Sequence, residues 1–249
     1  MKTFRILAIV IVVCGAILVL VLSPGASEDY KLSDYSFLPA YDSSSVVFHS
    51  YYSLSYNEES EQPYWVAYSL KPANLESRFG RRNIFREDTM VKSGTATNRD
   101  YSRSGYDRGH LVPAGDMSFD SIALEESFYY SNISPQLAGF NRGVWKRLED
   151  YTRDHSLYYD SLIVISGPVI NSSAEGIGEN RVSIPVFFYK ILIQFRADNV
   201  YVTSYLLPHV SSQSDLSEYI VSVDSIEALT GIDFLYDLPD KLEDRLERR

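Results

Sequence analysis

The sequence is poor in the residues that build disulfides and zinc modules. Its 249 residues include one cysteine, Cys14, and four histidines. A disulfide within the chain and a cysteine-rich zinc module are therefore excluded. The sequence also lacks a Gly-x-Ser-x-Gly string and a glycine-rich loop before a Lys-Ser or Lys-Thr pair, so the nucleophile elbow and the phosphate loop are excluded as well.

Long uncharged runs are scarce, and the single one stands near the N-terminus. Lys2 and Arg5 precede the apolar run Ile6–Leu22, which as a helix would span roughly 25 Å. We therefore expect one N-terminal hydrophobic helix within residues 1–26, either an uncleaved signal anchor or a cleaved signal peptide. Both alternatives predict an extracytoplasmic protein, membrane-anchored in the first case and secreted in the second.

The remaining composition is that of an ordinary globular protein. Apolar residues make up 45% and charged residues 22%, and the 20 tyrosines and 12 phenylalanines favour a β-rich fold. The net charge of -10 argues weakly against a nucleic-acid partner.

Hydrophobic patterning predicts an α+β fold in one domain. We expect a linker at 27–45, a mixed-sheet domain at 46–238 and a frayed charged tail at 239–249. Within the domain, apolar and aromatic runs predict strands at 46–52, 64–70, 162–165, 186–195 and 200–207. Helical spacing predicts helices at 124–130, 142–155 and 225–229.

Three strings of polar residues occur in order along the chain. They are Tyr106-Asp107-Arg108-Gly109-His110, then Ser131–Gln136, then Asn141–Glu149. Together they resemble the DNA/RNA non-specific endonuclease family, the ββα-metal nucleases that include Serratia-type nuclease and endonuclease G. The resemblance extends over roughly residues 45–238 and includes Arg86-Glu87-Asp88 and Phe188-Tyr189-Lys190.

The resemblance implies a fold and an activity. The fold would be a larger mixed sheet with a ββα-metal finger as its active site. The activity would be endonucleolytic hydrolysis of DNA and RNA to 5′-phosphate ends, with one Mg²⁺ as cofactor and Mn²⁺ as a substitute. Because relatives often dimerise, a homodimer is a further expectation.

His110 and Arg108 suit phosphodiester hydrolysis chemically. An imidazole is neutral near pH 7 and can accept the proton of an attacking water, and a guanidinium can bind a phosphate with two hydrogen bonds. We expect Asp107 to have a structural role, as a hydrogen-bond acceptor that stabilises the loop.

Asn141 and Glu149 each carry two interpretations. Asn141 matches the metal ligand of the family, but its place before the predicted helix also suits a helix N-cap. Glu149 follows eight residues later on that helix, about 12 Å away, so it would hold a metal-bound water rather than the metal. The alternative for Glu149 is a solvated helix carboxylate.

Substrate-binding residues are expected on both sides of His110. The resemblance makes Asn132 and Gln136 line the site. Residues 78–108 contain eight basic and four acidic residues, a local charge of +4 that favours a polyanion. The family has a second functional arginine in this segment, and Arg81, Arg82 and Arg86 are all candidates.

The sequence thus predicts an exported or membrane-anchored, metal-dependent, sugar-non-specific endonuclease. Two alternatives stay open. One is a nuclease restricted to a single type of nucleic acid, and the other is a catalytically inactive module that binds nucleic acid or a partner.

Overall fold

The structure is a computed structural model that describes residues 32–171, 174–197 and 199–248. The expected N-terminal hydrophobic helix lies outside the described residues. Eleven strands are present in the described part: β1 (Val46–Phe48), β2 (Tyr52–Asn57), β3 (Gln62–Leu70), β4 (Asp107–His110), β5 (Ile133–Gln136), β6 (Ser161–Val169), β7 (Gly176–Ile177), β8 (Val182–Ser183), β9 (Phe187–Arg196), β10 (Asn199–Pro208) and β11 (Ile220–Val221).

The helices are short. They are α1 (Asn98–Tyr101), α2 (Ser121–Glu126), α3 (Lys146–Ser156), α4 (Val223–Thr230) and α5 (Asp240–Glu247). A wide helical turn at Phe140–Trp145 precedes α3, and 3₁₀ turns lie at Leu32–Asp34, Pro72–Leu75, Tyr130–Asn132 and Leu216–Tyr219.

Seven antiparallel strands form the central sheet in the order β1-β2-β3-β6-β9-β10-β11. β9 lies inside the sheet, and its residues from Phe188 to Gln194 are buried. This burial on both faces explains why its sequence is apolar almost throughout instead of alternating with polar residues.

The chain leaves the sheet after β3 and returns to the same place much later. Leu70, the last residue of β3, pairs with Leu162 of β6, so residues 71–160 form one long insertion between neighbouring strands. Inside this insertion β4 and β5 pair as an antiparallel hairpin, and the turn at Phe140–Trp145 and α3 follow. Phe140, Trp145 and Leu148 of the insertion pack with Phe188 and Leu192 of the sheet in one apolar core.

The predicted α+β class with a sheet-rich domain is confirmed, but several boundaries differ. The predicted strand at 46–52 breaks, because the chain turns where the His49 amide donates to the Tyr52 carbonyl. The predicted helix at 142–155 begins later, since the backbone leaves helical geometry at Gly143.

Both segments that flank the predicted domain contain buried residues in the part of the chain that the structure describes. Phe37, in the expected linker, is 8% exposed and meets the Phe195 ring edge-on at 5.0 Å. The expectation of a frayed tail at 239–249 was wrong, because α5 is ordered there. Leu242 and Leu246, four residues apart on one face, are buried and anchor it.

Candidate active site

His110 ends β4 in an aromatic enclosure. Its ring lies 4.9 Å from the Phe128 ring and 5.5 Å from the Phe85 ring, and the residue is 7% exposed. Burial lowers the pKa of His110 to about 3, and the nearby Arg81 guanidinium acts in the same direction. The imidazole is therefore neutral, and its buried Nε2 has no hydrogen-bond partner within the described part of the chain.

Arg108 projects from the same face of β4 as His110, because the two residues are two positions apart on a strand. Its Nε donates to the Tyr130 hydroxyl at 3.2 Å, and its guanidinium also donates to Asn98. The guanidinium carbon lies 5.4 Å from the centre of the Phe85 ring, which also contacts His110. Arg108 is thus held beside His110 and is not a freely solvated surface charge.

The three candidate arginines upstream occupy different positions. Arg81 lies over the Phe128 ring at 5.4 Å and is the one whose charge acts on His110. Arg82 and Arg86 line a cavity of about 370 Å³ whose apolar wall also includes Phe128. Arg86 pairs with Glu125 at 3.5 Å across this exposed region. The remaining lining residues are Phe79, Gly80, Ile84, Ser121 and Leu124.

Asn141 lies in the wide turn before α3 and does not cap that helix. Its Nδ2 donates to Asp107 Oδ2 at 3.0 Å, while Arg142 binds both oxygens of the same carboxylate at 2.7 and 2.9 Å. Burial would raise the pKa of Asp107, but the hydrogen bonds from Arg142 and Asn141 outweigh it and lower that pKa. Because the amide nitrogen is engaged, the amide oxygen of Asn141 is the atom left to bind a cation.

Glu149 lies on α3, is partly exposed, and is acted on by the charges of Lys190 and Asp116. Burial raises the pKa of Glu149, Lys190 opposes this, and Asp116 adds to it. Lys190 is fully buried, donates to Ser166 Oγ at 2.8 Å, and lies 4.7 Å from the centre of the Trp145 ring. The charge of the buried Lys190 thus acts on Glu149, which is not a fully solvated helix carboxylate.

Trp145 and Asp107 attach the turn before α3 to the two ends of β4. Trp145 Nε1 donates to the His110 carbonyl at 3.2 Å, and Asp107 accepts from Asn141 at the other end of the strand. The candidate base and the candidate metal ligand are therefore held by one short strand.

Asn132 and Gln136 are fully buried rather than open to a substrate. Asn132 accepts from the Val112 amide at 2.8 Å and donates to the carbonyls of Val112 and Ser127 at 3.0 and 2.8 Å. Its amide group is therefore saturated by backbone, and it holds the chain that follows His110. Gln136 packs against Gly109, and neither of its amide atoms has a hydrogen-bond partner in the described part.

Sequence reasoning missed the residues that enclose and orient the candidate base. Phe85 and Phe128 contact the His110 ring, and Tyr130 and Asn98 hold Arg108. Phe85 directly precedes the Arg86-Glu87-Asp88 string, which was the only available signal for it. The residue type alone could not predict that Phe85 and Phe128 contact the candidate general base, because phenylalanine is equally common in any apolar core.

The family described as DNA/RNA non-specific endonuclease matches residues 34–241. The chain belongs to this family. The mitochondrial nuclease of Saccharomyces cerevisiae is 30% identical over 208 residues, which are 74% of this chain and 63% of that protein. Human mitochondrial endonuclease G is 33% identical over 199 residues, 74% of this chain and 67% of that protein. The chain thus spans less than two thirds of the yeast relative.

A solved structure of the same family is also similar. The crystal structure of the EndoG/EndoGI complex superposes with a TM-score of 0.77 at 29% sequence identity, over 87% of this chain and 96% of that chain. The predicted membership of the DNA/RNA non-specific endonuclease family is confirmed, and with it the assignment to a family of enzymes.

The predicted localisation outside the cytoplasm was wrong. The relatives above from yeast and human are named as mitochondrial proteins. Within residues 32–171, 174–197 and 199–248, no helix has the length and apolar character needed to cross a membrane.

Proposed function

We propose that the chain is a metal-dependent endonuclease that hydrolyses phosphodiester bonds in DNA and RNA with little sequence specificity. The observation that carries the proposal is the placement of His110, a buried imidazole that lies beside two guanidinium groups and whose Nε2 has no hydrogen-bond partner among the described residues. A neutral imidazole nitrogen can take a proton from water, which is the first requirement of the reaction.

The arginines supply the positive charge that a phosphodiester needs. Arg108 is oriented by Tyr130 and Asn98, and Arg81 approaches His110 from the Phe128 side. A phosphate bound between them would have its negative charge stabilised as the transition state forms. We assign Arg81 as the second functional arginine, and Arg82 and Arg86 to the adjacent cavity.

The residues around Asn141 fit a hard divalent cation. Asp107 engages the amide nitrogen and thereby presents the amide oxygen, an atom type that Mg²⁺ and Mn²⁺ accept. When bound, such a cation would stabilise negative charge on the leaving oxygen of the phosphodiester. Asn141 would hold it, and Glu149 would contribute from α3 as a carboxylate acceptor.

Low sequence specificity follows from the type of groups that line the site. Guanidinium groups bind phosphates, which carry no base information, and the cavity lined by Arg82 and Arg86 presents phenylalanine and aliphatic surface to a base or sugar.

The homodimer expected from the family resemblance stays a prediction.

The test is an assay of the full chain with plasmid DNA and with RNA, in Mg²⁺ and in chelator. We expect cleavage of both substrates in Mg²⁺ and none in chelator. His110→Ala should lower turnover by at least about 100-fold, the lower range for a general base. His155→Ala is the matched control, because His155 stacks on Tyr151 on α3 and should leave turnover unchanged.

Three outcomes would contradict the proposal. Turnover of His110→Ala within threefold of wild type would mean that another group activates the water. Cleavage of one substrate only would favour a restricted nuclease. Binding without cleavage would favour the inactive binding module.

A further inference from the structure

Five carboxylates meet where α5 packs near α4. Glu247 belongs to two groups of three, one with Asp224 and Glu227 of α4 and one with Asp233 and Glu243. Within each group, one oxygen from each residue lies within 4.8 Å of the others. Glu243 and Glu247 lie beyond residue 241, where the match to the family ends.

Glu247 is the unusual member of this set. It is 8% exposed, and its Oε1 is buried without a hydrogen-bond partner in the described part of the chain. A buried carboxylate oxygen that loses water and gains no partner costs free energy. Burial and the charges of Glu227 and Glu243 raise the pKa of Glu247 to about 8, as expected for a carboxyl group in need of a positive partner.

The surrounding backbone fixes the ligands in place. α4 ends at Thr230 and is capped by Gly231, whose φ of 71° is left-handed, and the chain then turns so that the Phe234 amide donates to Glu227 Oε1 at 2.8 Å. This turn brings Asp233 back towards the end of α4. Phe234 in the loop and Leu242 in α5 are both buried, so the loop and α5 are anchored by apolar packing.

The spacing and chemistry of each group of three carboxylates fit Ca²⁺. Two oxygens bound to one Ca²⁺ at about 2.4 Å can lie up to about 4.8 Å apart. The groups offer only oxygen, which selects hard cations over zinc or copper. Carboxylates can bind Ca²⁺ through one or both oxygens, so a few residues can supply its six to eight ligands together with water.

We propose that Glu247 is the central ligand of a calcium-type divalent-cation site that joins α5 to α4 and to the turn at Asp233. The site is separate from the candidate active site and does not depend on the function proposed above. Its role is structural: the cation holds the C-terminal helix on the domain.

The test is thermal melting of the full chain in chelator and across a Ca²⁺ titration. At a hundredfold excess over the dissociation constant, we expect the wild-type Tm to rise by about 5–10 °C. Glu247→Gln should lose this increase. In chelator it should melt at or above the wild-type temperature, because a neutral amide avoids the cost of charging or protonating a buried carboxyl group. Asp244→Asn is the control, since Asp244 lies exposed on the same helix, outside both groups, and pairs with Arg248 at 3.0 Å.

A second variant and a second measurement keep the result decisive. If Glu247→Gln does not fold, Glu243→Gln replaces it, and equilibrium dialysis counts the Ca²⁺ bound by each protein. Loss of one bound Ca²⁺ in either variant supports the proposal. A wild-type Tm that does not respond to Ca²⁺, or an increase that persists fully in the variants, would overturn it. If the Tm does not respond to Ca²⁺, a proton shared between carboxyl groups is the hydrogen-bond partner of Glu247. If the increase persists in the variants, the cation binds elsewhere, as at Asn141.

Discussion

Gly109, the residue before the candidate base, packs closely against the Gln136 side chain. A β-carbon added at Gly109 would lie 2.2 Å from Cδ and Oε1 of Gln136, the residue at the end of the partner strand. Gly109 is therefore required because a side chain would collide with Gln136, and not because its backbone adopts an unusual φ angle. Because His110 follows directly, this contact sets the position of the base.

Gly109→Ala should move β4 away from β5. We expect a stability loss of about 1–3 kcal/mol, the usual cost of overpacking, together with a large loss of nuclease rate. The double variant Gly109→Ala/Gln136→Ala should recover part of both, because it removes the colliding atoms. Melting and rate measurements in a double-mutant cycle give the coupling. A Gly109→Ala variant as stable and active as wild type would show that Gln136 moves aside freely.

The same pair shows what sequence can and cannot reveal about single residues. The strings identify the segments that carry Arg108, His110 and Asn141, and the structure brings His110 and Arg108 together on one face of β4. They do not reveal that Asn132 and Gln136 are buried. The direction of a side chain depends on strand register, which changes by a full face with a shift of one residue.

At the scale of elements, the turn at Phe140–Trp145 is the part that periodicity could not predict. Apolar residues keep helical spacing through it, so the sequence predicts one helix at 142–155. The departure at Gly143 is stabilised by contacts between Asp107 and the pair Asn141 and Arg142, which are 34 and 35 residues away along the chain. Such long-range bonds leave no local pattern.

Substitutions at Asn141 separate a ligand from a structural residue. We expect Asn141→Ala and Asn141→Ser to stay folded, with a loss of about 1 kcal/mol for one hydrogen bond, and to be nearly inactive. Asn141→Asp should place a second carboxylate against Asp107, so its stability and its rate should both fall, and Mg²⁺ should restore part of the stability.

Arg142→Ala is the matched control for this series. It removes two hydrogen bonds to the same Asp107 carboxylate but leaves the Asn141 amide in place. It should therefore lose stability and keep its metal-dependent activity. If Asn141→Ser retained most of its rate in a Mg²⁺ titration, the cation would be held by other residues, with Glu149 the next candidate.

At the scale of the whole molecule, neutral buried histidines make the fold sensitive to acid. Burial lowers the pKa of His110, His155 and His209, to about 3 for His110. The unfolded chain takes up these protons near pH 6.5 and the folded chain does so only at lower pH, so stability is present above pH 6.5 and declines as the pH falls. For His110 the full effect is of the order of 5 kcal/mol by pH 3.

Denaturant unfolding between pH 7 and pH 4 measures this decline. His110→Phe removes the titrating group but keeps an aromatic ring in the enclosure, so it should reduce the slope of stability against pH in this range. A variant with the wild-type slope would mean that other groups that titrate in this range, such as His155 and His209, cause the acid loss.

The whole-molecule charge also explains a misleading expectation from composition. The net charge of -10 argued weakly against a nucleic-acid partner, yet the chain belongs to a nuclease family. Net charge averages over the surface. Four arginines of residues 78–108 lie around His110 and the neighbouring cavity, where a polyanion would bind: Arg81, Arg82, Arg86 and Arg108.

The insertion of residues 71–160 between β3 and β6 determines when the chain becomes active during folding. Pairing β3 with β6 closes a long loop, and the entropy lost in closing it slows folding. Part of the apolar surface that stabilises this pairing lies in the insertion itself. The two tryptophans report on the two parts: Trp65 lies in β3, and Trp145 donates to His110. In the single-tryptophan variants Trp65→Phe and Trp145→Phe, we expect refolding fluorescence to change at one common rate. Recovery of Trp65 ahead of Trp145 would instead show a preformed sheet. With a common rate, a nascent chain cannot cleave nucleic acid until β6 and its neighbours have been synthesised.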